Sequence, residues 1–204
     1  MKRYLLATAI APALVIGVIA LHPGQAVANP ASLRLDAETK AYKLDPNHAG
    51  VSFEIAHLGL ANVHGRFNKF EGTVTLDGED ITKSKVEFTV DVASVDTAVG
   101  ARDNHLRTAD FFEVEKYPTM KFVSTGVRKV EDHFVVDGDM TIKATTKRVS
   151  IPFRMTGPVD GMQGGKVIGV VAEPFVIKRL DFAVGNDQKQ VGTALQIYMS
   201  DYDD

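Results

Sequence analysis

Val86-Glu87-Phe88-Thr89-Val90-Asp91-Val92 decides the fold class. Four apolar residues alternate strictly with three polar ones. Successive side chains of an extended strand point to opposite faces, so this period of two puts one face in a core and the other in water. A helical period would spread the same residues around the whole circumference. The pattern repeats on both sides of this stretch. Upstream, Val51, Phe53 and Ile55 alternate with Ser52 and Glu54. Downstream come Met120 and Phe122, Met140 and Ile142, Ile151 and Phe153, and then Leu195, Ile197 and Met199.

Turn-forming residues fall between these segments. Asp77-Gly78 follows Thr73–Leu76, and Asp137-Gly138 separates a Val-rich stretch from a Met-rich one. Lys143-Ala144-Thr145-Thr146 precedes Val149–Phe153, and residues 161–165 precede Val167–Ala172. The spacing predicts eight to ten short strands. No long run has a clean helical period. The best helical candidate lies between Thr97 and Lys116, where Asp103, Asp110 and Glu113 suit a turn or two. A mostly antiparallel sheet of this length must fold into a sandwich or close into a barrel to hide its edges. Alternation does not separate the two. The absence of Cys and Trp removes the Cys…Trp…Cys spacing of an immunoglobulin-type sandwich, and about eight strands enclose room for one small ligand.

The N-terminus reads as a targeting segment. Lys2 and Arg3 precede an apolar run from Leu5 to Leu21, and Ala26-Val27-Ala28 offers the small residues of a cleavage site. A membrane anchor needs about 20 apolar residues, whereas this run is shorter and is interrupted by Pro12 and Gly17. Cleavage is expected after Ala28, with 29–41 a flexible polar leader and no stable membrane insertion afterwards. Loss of Lys2 and Arg3 moves the formal charge from −3 to −5, so there is no electrostatic footprint for nucleic acid or an anionic bilayer. With no Cys in the chain, disulfides, thiol catalysis and thiolate metal sites are excluded.

Several motifs occur in a fixed order. Leu44-Asp45-Pro46-Asn47-His48-Ala49 leads into Val51, Phe53 and His57-Leu58-Gly59. Val63-His64-Gly65-Arg66-Phe67 follows, with Phe70 and Gly72. Ser94-Val95-Asp96-Thr97 then precedes residues 102–112, read Arg-Asp-Asn-His-Leu-Arg-Thr-Ala-Asp-Phe-Phe, and Tyr117-Pro118-Thr119-Met120-Lys121-Phe122. Gly138-Asp139-Met140-Thr141-Ile142, Thr146-Lys147 and Arg179-Leu180-Asp181-Phe182 close the series. This order, from about Tyr42 to Met199, resembles the YceI-like family. The resemblance implies an all-β fold over 42–200, an antiparallel eight-stranded lipocalin-like barrel with a short helical loop segment. It further implies a periplasmic binding protein without cofactor, whose apolar interior holds an isoprenoid lipid such as a quinone or polyprenyl lipid, and which often forms homodimers. Tyr42 stands where the family usually has Trp, and Ala144 and Ala183 stand where it often has Gly.

A polyisoprenoid tail needs a long apolar cavity with polar selectivity at its mouth. The candidate lining is Phe53, Ile55, Phe67, Phe70, Phe88, Val90, Phe122 and Met140 from the strands and Phe112 from the loop. The competing reading is that these residues fill a solid core, because alternation cannot tell a filled barrel from a hollow one. His57 continues the inward series 51, 53, 55. Its ring is expected to face the interior, either hydrogen-bonded within the core or touching a ligand headgroup. Arg102, Asp103 and His105 lie in the long connection after Val92, where they would either meet a headgroup or pin the loop. The His residues after the leader are 48, 57, 64, 105 and 133, with no metal-ligand spacing, and no G-x-S-x-G elbow is present. A hydrolase using His57 or His105 as base remains an alternative, as does another long-chain amphiphile in the same barrel.

Overall fold

The computed structural model describes residues 38–57, 60–162, 164–185 and, as a backbone path, 194–201. The expected signal peptide over 1–28 and the leader up to residue 37 lie outside these described residues. The strands are β1 (Lys40–Lys43), β2 (Ala49–His57), β3 (Ala61–Phe67), β4 (Phe70–Leu76), β5 (Lys85–Asp91) and β6 (Val95–Asp96). A helix α1 (Gly100–Arg107) intervenes before β7 (Thr119–Val130), β8 (His133–Ile142), β9 (Thr145–Asp160), β10 (Lys166–Ala172), β11 (Phe175–Lys178) and β12 (Ala194–Asp201). β1 therefore begins two residues before the end of the expected leader, because Lys40 and Ala41 pair with Leu76 and Thr75.

Pairing defines a seven-stranded sheet, β1-β4-β5-β7-β8-β9-β10, and a five-stranded sheet, β11-β12-β2-β3-β6. Four pairs of consecutive strands are halves of one kinked path. β1 lies on β4 while β2 lies on β3. β5 lies on β4 while β6 lies on β3, and β10 pairs with β9 while β11 pairs with β12. Joined across their kinks, the twelve strands form eight paths, each antiparallel to its neighbour in chain order. β12 then closes the circuit on β2, with Met199 opposite Val51 and Ile197 opposite Phe53. The result is an up-and-down barrel, nearly closed, in which β12 joins the circuit on β2 while β1 and β10 remain the edges of the seven-stranded sheet.

Tight curvature comes from aromatic side chains laid across glycines. The Phe53 ring covers Gly65, its direct partner, and the Phe88 ring covers Gly72 in the same way. The Phe122 ring covers Gly138, where an added Cβ would lie 2.4 Å from Phe122 Cζ and 2.6 Å from the Val123 carbonyl oxygen. Asp137-Gly138, expected as a turn, is therefore the middle of β8. The strand runs straight through it, and the turn falls instead at Glu131-Asp132, where Glu131 takes a φ of 49°. Opposite Gly138, a bulge at Thr125 shifts the register of β7, so Met120 and Phe122 on one side of it and Val127 on the other are all buried. The expected connection Lys143–Thr146 shortens to Lys143-Ala144, because Thr145 and Thr146 already pair with Ile142 and Thr141.

The helical segment expected between Thr97 and Lys116 is α1 and the turns after it. Arg107 anchors it, donating from Nε to the Ala93 carbonyl and from Nη2 to the Val95 carbonyl, both at 2.8 Å. Of the two alanines standing where Gly is common, Ala144 has no positive φ, since Lys143 (φ 53°) carries the left-handed residue of that turn. Ala183 does sit left-handed at φ 54°. A Cβ is unfavourable there, so Ala183→Gly is expected to raise stability by about 1 kcal/mol. Gly138→Ala is expected to lower it by about 1–3 kcal/mol, since the backbone oxygen of Val123 cannot yield as a side chain can. Equilibrium denaturation of the two variants checks both signs.

A blind apolar chamber inside the barrel

The barrel interior has two different halves. At the end carrying α1, Phe53 and Phe67 meet with ring centroids 5.4 Å apart, and Phe67 meets Phe112 edge-on at 5.8 Å. Phe67 is 1 % exposed, and Val92 and Val95 are equally enclosed. Phe112 comes from the loop after α1, whose turn is closed by its own N–H donating to the Leu106 carbonyl. Lys143 ties this end together, donating to the Ala183 carbonyl at 3.0 Å and lying 3.6 Å from the Glu113 carboxylate. Here the barrel is solid.

Beyond this floor the interior opens into a cavity of about 580 Å³, within the range of small-molecule sites. Its walls include Val90, Met120, Phe122, Val136, Met140 and Phe153, all buried. Exposed lining residues occur along the wall at Lys43, Thr73, Glu87 and Lys121, and at the mouth, formed by residues 44–50 between β1 and β2 and the start of β10. Asp45 and His48 stand there with the His48 Nδ1 2.7 Å from the Asp45 carboxylate. That hydrogen bond, supported by the Asn47 backbone N–H, holds the Asp45 carboxyl below its ordinary pKa. Ser84, 5 % exposed, is a buried hydroxyl of the lining and accepts from the Asp77 backbone N–H at 3.0 Å.

Of the nine apolar residues expected to line a cavity, Phe88, Val90, Phe122 and Met140 do so. Phe53, Phe67 and Phe112 build the floor instead. Phe70 stacks on the Phe88 ring at 6.0 Å, and Ile55 packs against the core, but neither lines the chamber. The four polar candidates all lie at the opposite end of the barrel from the mouth. His57, expected to face inward, is exposed at the tip of the β2–β3 hairpin, where the register carries it past the enclosed part of the barrel. Its carbonyl accepts from the Leu60 N–H. Arg102 and Asp103 converge on Thr97. Arg102 donates from Nε to its hydroxyl and from Nη2 to its carbonyl, each at 2.8 Å, and Asp103 accepts its N–H at 2.9 Å and its hydroxyl at 2.5 Å. They pin the loop. His105 is exposed and pairs with Asp110 at 3.0 Å.

The unforeseen lining falls into two groups. Met120, Ile151 and Phe153 belong to strands whose alternation was plain, and extending each series would have found Met155 and Val136 as well. Asp45 and His48 belong to the first of the ordered motifs, Leu44–Ala49, and no periodicity assigns that stretch to a cavity mouth. Among the described residues there is no group of three His, Asp or Glu side chains able to hold a metal ion.

A side chain enlarged into the chamber fills empty space, whereas one removed from the floor leaves a hole. Val136→Phe is thus expected to change stability by under about 1.5 kcal/mol and to weaken binding of a chamber guest. Phe112→Ala is expected to cost about 3–5 kcal/mol. Thermal unfolding and ligand titration of both variants check the contrast.

Comparison with known proteins agrees with this geometry. A model of the YceI-like domain matches residues 42–200. Protein YceI of Escherichia coli O157:H7 is 41 % identical over 148 residues, covering 72 % of this chain and 77 % of its own length. Protein YceI of Salmonella arizonae is 37 % identical over 161 residues, covering 78 % and 84 %. Among solved structures, the Campylobacter jejuni YceI protein superposes with a TM-score of 0.58 at 29 % identity, over 80 % of this chain and 99 % of that one. Burkholderia cenocepacia BcnA shares the fold, with a TM-score of 0.65 at 24 % identity over 76 % and 96 %. So does a polyisoprenoid binding domain from Saccharophagus degradans, with a TM-score of 0.53 at 12 % identity over 81 % and 100 %. The chain belongs to the YceI-like family.

Proposed function

We propose that this protein is a non-catalytic carrier of an isoprenoid-type lipid, a quinone or polyprenyl lipid, in the periplasm. The observation that carries the reading is the blind chamber of about 580 Å³, whose buried walls are apolar apart from Ser84. A tail with no hydrogen-bonding groups asks nothing else of its site. Burial is worth about 25 cal/mol per Å², so several hundred Å² of tail contributes on the order of 10 kcal/mol before association costs. The floor of Phe53, Phe67 and Phe112 sets the depth to which a tail can enter. Asp45 and His48 sit where a carbonyl or hydroxyl headgroup would emerge. The Saccharophagus domain of the same fold is described as binding a polyisoprenoid, the class of guest this chamber suits. The basic start, apolar run and Ala26-Val27-Ala28 exit support export with cleavage after Ala28.

A carrier is favoured over a hydrolase because the candidate bases stand outside the chamber. His57 is exposed on a distant hairpin and His105 is engaged with Asp110. Neither can reach an ester held against Met140. A fatty acid or amide would fit the same walls, and the mass of the guest separates these cases. Native mass spectrometry of protein purified from its own host, followed by organic extraction, is expected to release an isoprenoid. Protein that arrives empty and is not stabilised by added isoprenoid quinone contradicts the proposal.

A further inference from the structure

The connection between β9 and β10 carries an unusual concentration of exposed apolar side chains. Val159 is 60 % exposed, Val167 50 %, and Met162 at the tip is fully exposed at 106 %. Val159 and Val167 are direct partners in the ladder, so the two valines stand side by side. The tip is tightly built. Gly161 donates to the Gly165 carbonyl and Gly164 donates to the Gly161 carbonyl, both at 3.0 Å, with Gly164 and Gly165 at positive φ. Behind it, Lys166 and Asp160 form an ion pair at 2.7 Å, which leaves this pair without net charge. Val171 is exposed further along β10, and Leu60, Val99, Val123 and Val176, also exposed, sit singly elsewhere on the barrel.

What distinguishes this hairpin is its place. Lys166, Val167 and Ile168 belong to the chamber lining, so the apolar tip is continuous with the mouth. We infer that the β9–β10 hairpin is a membrane-docking edge. Its tip enters the surface of a bilayer and brings the mouth against the lipid phase, so that an apolar guest passes into the chamber without crossing water. This rests on the reading of the chamber as a lipid site. A free carrier of a water-insoluble tail must meet its source membrane, and an apolar rim beside the opening offers the contact. A single short hairpin gives reversible binding rather than insertion. Its uncharged ion pair makes the contact indifferent to lipid charge, unlike docking by a basic patch.

The test is flotation of protein purified from its host, its N-terminus read by intact mass, with vesicles of phosphatidylcholine alone and of phosphatidylcholine with phosphatidylglycerol. The protein is expected to float equally with both. A large apolar side chain withheld from a bilayer shifts partition by about tenfold or more, so the double variant Val159→Ser, Met162→Ser is expected to lose at least that much. Its chamber lining is untouched, so isoprenoid quinone added in detergent is expected to stabilise it as it does the native protein, and Leu60→Ser is expected to float as the native protein does. Native protein that ignores both vesicles, or a double variant that floats undiminished, overturns the docking edge. So does flotation only with phosphatidylglycerol, or a double variant that loses self-association in sedimentation while flotation persists. Protein that carries extractable isoprenoid yet ignores vesicles sinks this inference alone. Flotation by protein that takes up no isoprenoid supports the edge and sinks the carrier reading.

Discussion

The backbone pairing of β12 with β2 is the constraint on which the rest depends. It joins the last strand to one of the first, with Asp201 opposite Ala49 and Gln196 opposite Glu54, and turns an open meander into a nearly closed wall. Closure fixes the circumference at eight paths and therefore the width of the interior. An interior of that width can be filled by side chains or can hold one small guest. This protein does each in a different half. Where aromatic rings are supplied from both the strands and the α1 loop, the interior is solid. Where the Val, Leu, Ile, Met and Phe side chains of the strands receive no ring from the α1 loop, a chamber is left.

The division of labour explains why the polar motifs of residues 94–112 are so densely bonded without touching the chamber. A plug must be held rigidly if it is to keep the barrel end closed. Thr97, Asp103, Arg102 and Arg107 supply that hold through hydrogen bonds between 2.5 and 2.9 Å that tie the connection to itself and to the backbone beside β6. Buried groups of this kind are worth most when every partner is present. Phe112 is thereby delivered against Phe67 as the floor. At the opposite end a single 3-10 turn, Ile81–Lys83, packs on β7 with Ile81 in the chamber lining, and the rim is a turn built on Asp45 and His48 beside the β9–β10 hairpin.

Much of this was legible in the sequence, and the failures have physical causes. Alternation placed Val86–Val92, Met120–Phe122 and Ile151–Phe153 correctly, because a half-buried strand forces a period of two. It could not place the hollow. Phe67 and Phe122 occupy equivalent inward positions, and only the loop that delivers Phe112 to one end makes the first a floor and the second a wall. Asp137-Gly138 misled because a glycine beneath an aromatic ring leaves the same local signature as a glycine in a turn. His57 misled because a strand can keep its register beyond the point where the barrel still encloses it. The bulge at Thr125 hides Val127 from any fixed period. The ordered motifs marked the family, and the first of them, Leu44–Ala49, is the mouth, although nothing in its residues said that it opens on a cavity.

The central claim is that one half of this barrel is a blind chamber for an apolar guest. A crystal structure of protein purified from its own host tests it most directly. The account predicts elongated density running inward from beside His48, along Met140 and Phe122, and stopping short of Phe67. Density that threads past Phe67 and Phe112 to the α1 end, or side chains collapsed inward with no room for a guest, would contradict it.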